Sequence, residues 1–242
     1  MDHILVYCAC TGGASKYAAD RLKSAGISLA DHPMPEITHL LLDVPLKKIP
    51  EGLLERLPEK ITVVGGNLSI AELEGYRKMD LLQDAEYLAR NAAITADCAL
   101  RVAMQRMETT FRDTPTLIIG WGRIGKCLAA LLRSLDCPVT VAVRKERDRA
   151  ILNALGYQTT DAAQIKNLDQ YRLIFNTAPC PVLDLAQLKI CSRCIKIDLA
   201  SIRGLGGEDV IWARGLPGVY APESSGHLIA ERFLKRYKEG LS

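Results

Sequence analysis

Three glycines, Gly120, Gly122 and Gly125, sit directly behind the apolar run Thr116 to Ile119 and open onto Lys126 to Leu135, a stretch with helical spacing. Glycines at this spacing mean little by themselves, because glycine-rich turns are common. Here a strand precedes them, an amphipathic helix follows, and a second strand, Val139 to Val143, completes the unit. In that setting the first glycine permits a tight turn and the second lets the backbone approach a pyrophosphate. The third lets helix and strand pack closely. A helix starting near Arg123 presents unpaired N–H groups and the positive end of its dipole to phosphate oxygens. Gly120-Trp121-Gly122-Arg123-Ile124-Gly125 is therefore expected to hold a dinucleotide.

The end of the second strand decides which dinucleotide. An acid there grips the ribose 2′-hydroxyl of NAD(H), whereas an arginine accommodates the 2′-phosphate of NADP(H). The sequence reads Val143-Arg144-Lys145-Glu146-Arg147, with two cations and no acid at the strand end. Arg144 suits bidentate phosphate binding and Lys145 adds a second charge, so NADP is expected in preference to NAD. A solvated charge run opening the next helix is the competing reading, given Glu146 and Asp148. Asn176-Thr177-Ala178-Pro179 and Asp198-Leu199-Ala200-Ser201 end two further apolar runs, Arg172 to Phe175 and Cys194 to Ile197. Ligands of open α/β sheets bind outside the carboxyl ends of strands, which makes Asn176, Thr177, Ala178, Asp198 and Ala200 expected cofactor neighbours. The same residue types are also ordinary turn and capping chemistry.

The segment up to residue 80 repeats the alternation on a smaller scale. Strands are expected over His3 to Tyr7, Thr38 to Val44 and Ile61 to Val64, with helices over Ala14 to Ala25 and Pro50 to Leu57. Glycine pairs follow two of these strands, after Thr11 at Gly12-Gly13 and at Gly65-Gly66. One long helix-rich stretch without Gly or Pro runs from Asp80 to Met107, with an expected kink near Asn91 to Thr95. Arg147 to Leu155 reads as another helix, and a terminal helix is expected from Ser225 to Lys238. The expected fold class is α/β: a Rossmann-type doubly wound parallel sheet with a second, smaller flavodoxin-like α/β domain. The smaller, substrate-side domain is assigned to residues 1–88, with terminal helix 224–242 packing back onto it. The dinucleotide-binding domain is assigned to 89–223.

Composition excludes several classes. The 242 residues are 48% hydrophobic and 24% charged, ordinary globular usage rather than disorder. A net charge of +3 from scattered cations gives no nucleic-acid footprint. No apolar run reaches the length of a membrane span, and the start of the chain reads as a strand rather than a signal peptide. The expected compartment is the reducing cytoplasm, where the eight cysteines stay as thiols. Cys191-Ser192-Arg193-Cys194 and Cys8-Ala9-Cys10 fall in different expected domains, so no metal is expected. Self-association is left open by the sequence.

Taken together, several segments resemble the A-subunit family of dipicolinate synthase. They are Gly120 to Gly125, Ile197-Asp198-Leu199-Ala200-Ser201, and Gly215-Leu216-Pro217-Gly218-Val219-Tyr220-Ala221-Pro222 followed by Ser224-Ser225-Gly226. Asn91-Ala92-Ala93-Ile94-Thr95-Ala96 also looks like that family's linker and Gly12-Gly13 like its first glycine pair. The likeness is good from Leu82 onward and loose before it, where the chain is shorter than the family's usual length. The glycine fingerprint alone would equally fit D-isomer 2-hydroxyacid dehydrogenases. The resemblance implies a nicotinamide oxidoreductase of lysine and diaminopimelate chemistry in sporulation. Its substrate would be a dihydropyridine dicarboxylate, dihydrodipicolinate or its hydrated precursor, oxidised to dipicolinate with NADP. Its implied partner is a second, flavoprotein-like B subunit. Pro217, in the Leu-Pro-Gly segment, is counted among the expected cofactor contacts.

A small dicarboxylate needs N–H groups and cations, so Gly12, Gly13, Ser15, Gly65, Gly66 and Ser201 are expected to line the substrate, with Lys16 nearby. Proton-handling residues are sparse. His227, at the start of the terminal helix, and Thr95, in the linker, are the two candidates, and His3, His32 and His39 read as structural or exposed. The competing function is a non-catalytic NADP-binding subunit or sensor that needs a partner. A dehydrogenase of the D-2-hydroxyacid type is the other alternative.

Overall fold

The computed structural model describes residues 4–10 and 12–240. It divides into two compact units, one formed by Met1–Asn91 with Pro217–Ser242 and the other by Ala92–Leu216. His3 and Thr11, named above at the ends of the first expected strand, lie outside the described residues.

The first unit is a five-stranded parallel sheet. Its elements are β1 (Leu5–Cys8), α1 (Gly13–Ser24), β2 (Ser28–Ala30), β3 (His39–Leu41), β4 (Thr62–Gly65) and β5 (Arg77–Asp80). The strand order β2-β1-β3-β4-β5 is the flavodoxin-like one. β3 and β4 are buried along their whole length, as the central strands of a sheet covered on both faces must be. Leu40, Leu42 and Val63 pack on one face with Ile37, Leu53, Leu57, Ile61, Leu68 and Leu73. The helix expected over Pro50 to Leu57 does not form; a single 3-10 turn, Leu54–Arg56, stands there. Gly52 adopts φ +66°, a left-handed conformation that interrupts a helix.

The long helix starts later than its pattern suggests. Asp80 ends β5 and its carboxylate accepts from the N–H groups of Leu68 (2.9 Å) and Leu82 (2.9 Å), which holds the chain in a turn. Asp84 then caps α2 (Ala85–Met104), its Oδ1 accepting from Tyr87 N–H at 2.8 Å. α2 is helical through Asn91 to Thr95, where the sequence suggests a kink.

The second unit holds β6 (Thr116–Ile119), α3 (Arg123–Ser134), β7 (Val139–Val143), α4 (Glu146–Ala154), β8 (Gln158–Asp161), β9 (Leu173–Asn176), α5 (Leu185–Ile190), β10 (Ile195–Asp198) and β11 (Val210–Trp212). All six strands are parallel, in the order β11-β10-β9-β6-β7-β8. Counted within the unit this is 6-5-4-1-2-3, the doubly wound dinucleotide order with its switch point between β6 and β9. Two helices follow, α6 (Leu216–Tyr220) and α7 (Pro222–Lys238). α7 crosses α1 so closely that a Cβ at Gly226 would overlap Ala14 O and Tyr17 Cβ. Arg232 of α7 is buried and pairs with the buried carboxylate of Asp84 at 2.7 Å and with Glu86. Among the described residues no helix is long and apolar enough to cross a membrane.

Candidate functional site

The glycine turn lies at the carboxyl end of β6, at the switch point of the second sheet. Gly120 adopts φ +104°, and a Cβ there would lie 2.5 Å from Thr177 Oγ1. A Cβ at Gly125 would overlap Gly120 O, so the third glycine is required by contact of helix and turn. Gly122 is different. A Cβ there would meet nothing within 4 Å, so the position faces open space. Contact with the rest of the protein does not require that glycine. Gly122 is also the N-cap of α3, with no side-chain cap and no acid in the first turn. No side chain therefore caps the first-turn N–H groups of α3. Trp121 packs edge-on against Tyr157 with ring centres 5.8 Å apart.

Beside this turn is a cleft of about 290 Å³ between the ends of β6 and β7. Gly120, Trp121 and Ala178 form one side, and Arg144, Lys145 and Asp148 the far end. Arg149 fixes that end: its guanidinium donates to Val143 O (2.9 Å) and Arg144 O (2.8 Å). The Arg144 side chain is exposed, with Nη2 against Cys180 Sγ at 2.6 Å. Sequence reasoning does not single out Asp148, Arg149 or Cys180 for this site. For Asp148 and Arg149 the available signal is their place in the first turn of the helix after β7; Cys180 carries no local signal.

Asn176 and Asp198 end neighbouring strands, and both are fully buried. Asn176 Nδ2 donates to Asp198 Oδ1 (2.9 Å), while its Oδ1 accepts from Ala178 N–H (3.0 Å). Asp198 further accepts from the N–H groups of Ala200 (3.0 Å), Gly204 (2.7 Å) and Leu205 (2.9 Å). Their side chains are therefore engaged within the protein and shape the loops that carry Thr177, Ala178 and Ala200. Thr177 Oγ1 donates to Ile119 O at 3.0 Å and so braces the glycine turn. Ser201 is exposed, beyond the buried Ala200.

In the first unit, the expected substrate-side glycines have other work. Gly12 N–H (3.3 Å) and Ser15 Oγ (2.9 Å) both donate to Asp43 Oδ1. A carboxylate does bind at the start of α1, but it is the protein's own. Gly13 is exposed, whereas Gly65 and Gly66 are buried. A Cβ at Gly66 would lie 2.8 Å from Val44 Cγ1 and 2.9 Å from Leu82 Cγ, so packing alone demands that glycine. Asp43 escapes sequence reasoning because nothing local links it to Gly12.

The remaining expected residues are dispersed. Thr95 is buried in the second unit, while His227 is half-buried on α7 and Pro217 buried in α6, both in the first. No three His, Cys, Asp or Glu side chains among the described residues converge on a metal position. Burial pushes the thiols of Cys8 and Cys194 up to about 11 and about 12. Such thiols stay protonated and unreactive.

An uncapped helix behind a glycine turn, at the switch point of a doubly wound sheet, defines a dinucleotide-type α/β domain, here joined to a flavodoxin-like one. No protein-family model matches the chain. Among curated proteins it is similar to the A subunit of dipicolinate synthase from Bacillus subtilis (strain 168), with 26% identity over 205 residues, 77% of this chain and 68% of that one. The crystal structure of the dipicolinate synthase A chain from Bacillus subtilis superposes with a TM-score of 0.80 at 18% identity, over 99% of this chain and 97% of that one. The NAD-complexed D-isomer specific 2-hydroxyacid dehydrogenase of Lactobacillus delbrueckii ssp. bulgaricus shares the fold at a TM-score of 0.54 and 12% identity, over 97% of each chain. The resemblance carried by the residues thus extends to curated sequence and solved structure alike, and the fold is that of the dipicolinate synthase A chain.

Proposed function

We propose that the second unit binds a nicotinamide dinucleotide, NADP in preference to NAD, and that the chain is an oxidoreductase. The observation that carries this reading is the open position at Gly122, on the uncapped first turn of α3 and beside a cleft ending at Arg144 and Lys145. The first-turn N–H groups would take the pyrophosphate. Arg144 would leave Cys180 to pair with the 2′-phosphate, and Lys145 would add a second charge. Thr177, Ala178 and Ala200 would border the cofactor on loops held by Asn176 and Asp198. Bound NADP supplies the hydride acceptor.

Similarity to the A subunit of dipicolinate synthase supports a dihydropyridine dicarboxylate as substrate, dihydrodipicolinate or its hydrated precursor, with dipicolinate as product. The ring loses a hydride and a proton, and the aromaticity gained reduces the need for a strong base. The relative is named as one part of a multi-subunit synthase, so we read the partner to be a flavoprotein-like second subunit, with the cytoplasm as compartment.

A second reading has one specific observation in its favour. Asp43 takes the Gly12 N–H and the Ser15 hydroxyl, and its charge opposes a substrate carboxylate there. A cofactor-binding subunit whose chemistry resides in its partner would fit that arrangement.

Titration with NADPH and NADH tests the first claim. Arg144→Ala is expected to weaken NADPH by about 10- to 100-fold, the loss of charge-assisted hydrogen bonds, and to leave NADH nearly unchanged. Equal NADPH affinity in both proteins removes Arg144 from this role. Incubation with dihydrodipicolinate and NADP, with and without the candidate partner, separates the two functions. Cofactor binding without dipicolinate in either mixture favours the second.

A further inference from the structure

Parallel pairing brings the carboxyl ends of β6 and β7 side by side, and the cleft there ends at Arg144, Lys145 and Asp148. Ala162 and Val182 also line it, an apolar surface that suits an adenine ring. A dinucleotide with its pyrophosphate at the glycine turn has its adenosine ribose at the charged end. Two cations and one acid share that end.

Asp148 stands in the first turn of α4, three residues after the N-cap Lys145. A carboxylate at that position can reach back to the N–H of the capping residue. That of Asp148 does not. Half-buried and lining the cleft, it makes no hydrogen bond or ion pair among the described residues. The neighbouring guanidinium groups are turned elsewhere. Arg149 donates to Val143 O (2.9 Å) and Arg144 O (2.8 Å) and lies 3.7 Å from Asp161 Oδ1. Arg144 Nη2 rests on Cys180 Sγ at 2.6 Å. Both carboxylate oxygens of Asp148 are thus open to whatever enters the cleft. A carboxylate accepts from a hydroxyl and repels a phosphate.

We propose that Asp148 sets how strongly this cleft discriminates between NADP and NAD. Its carboxylate accepts from the ribose 2′-hydroxyl of NAD and repels the 2′-phosphate of NADP, so it opposes the selectivity that Arg144 and Lys145 supply. The role rests on the dinucleotide reading proposed above. Titration of the full chain with NADPH and NADH, wild type against Asp148→Asn, tests it. The amide keeps the size of the side chain and removes its charge. NADPH should tighten by about three- to tenfold with the like charge gone, and NADH should weaken by about threefold or more without the charged acceptor. Asp148→Ser, which also lacks the charge, should move the NADPH-to-NADH ratio the same way. Glu146→Gln, in the same turn but exposed and outside the cleft, controls for net charge and should leave the ratio unchanged. Two affinities that move together, an unchanged ratio, or an equal change in Glu146→Gln would overturn the role of Asp148 and leave the dinucleotide site standing. A wild-type chain that binds neither nucleotide would remove that site itself, and this role with it.

Discussion

Gly122 and Gly125 differ by three positions and by the reason each lacks a side chain. Space at Gly122 is open, while a Cβ at Gly125 meets the Gly120 carbonyl. Gly122→Ala should therefore keep the unfolding free energy within about 1 kcal/mol of wild type and yet lose most dinucleotide affinity. Gly125→Ala should cost about 2–3 kcal/mol through overpacking, whatever is bound. Denaturant titration with and without NADPH reads both effects, and a stable Gly122→Ala that still binds tightly would contradict the phosphate role. The glycine fingerprint is legible in sequence because the strand and helix around it are local patterns. The glycine pair at Gly65-Gly66 is not legible in the same way. Its cause is Val44 and Leu82, which no spacing rule connects to it.

Among elements, the central strands announce themselves and the edges do not. β3, β4, β6, β9 and most of β7 are buried apolar runs. The four strands absent from the sequence reading, β2, β5, β8 and β11, are the four sheet edges. With one flank exposed they carry polar residues, as in Arg77-Lys78 and Gln158-Thr159, and lose the hydrophobic signature. α5 is also missing from that reading, although its capping box of Asp184 and Gln187 is a sequence-level signal. β10 holds an inversion of the usual rule: Lys196 is fully buried and pairs with Asp209, just before β11, at 2.5 Å. Asp209→Asn would leave a buried ammonium without its counter-charge. The expected cost is about 2 kcal/mol, below the range for fully buried pairs because Asp209 is 59% exposed. Lys196→Met, which buries no charge, should cost less in the same urea titration.

For the whole molecule, acid is the informative variable. His39 has its pKa lowered to about 4 from 6.5, by burial first and then by Arg77. A histidine that resists protonation in the folded state contributes fully above 6.5, and that contribution is lost as pH falls towards 4. The change is about 3 kcal/mol, and His39→Gln should remove that part of the pH dependence. Asp84 adds a second step at lower pH. Burial pushes its carboxyl up, but the Tyr87 N–H and Arg232 outweigh this and hold it below its ordinary value of 3.8. Its stabilisation is present above that value and lost as pH falls through the lower folded one. Urea unfolding of wild type and His39→Gln between about pH 7.5 and pH 4 measures the histidine step, and parallel curves would refute it.

The chain's own letters determined the two parallel α/β layers, the glycine turn and the cationic strand end after Val143, since each is a pattern within a few neighbouring residues. Only the tertiary structure decided that Asp43 occupies the Gly12 amide, that Asn176 and Asp198 satisfy each other, and that the His39 ring is buried against Phe233 and Tyr237. Those pairings join residues far apart in the chain, and hydrogen bonding and burial act on distance in space rather than along the sequence.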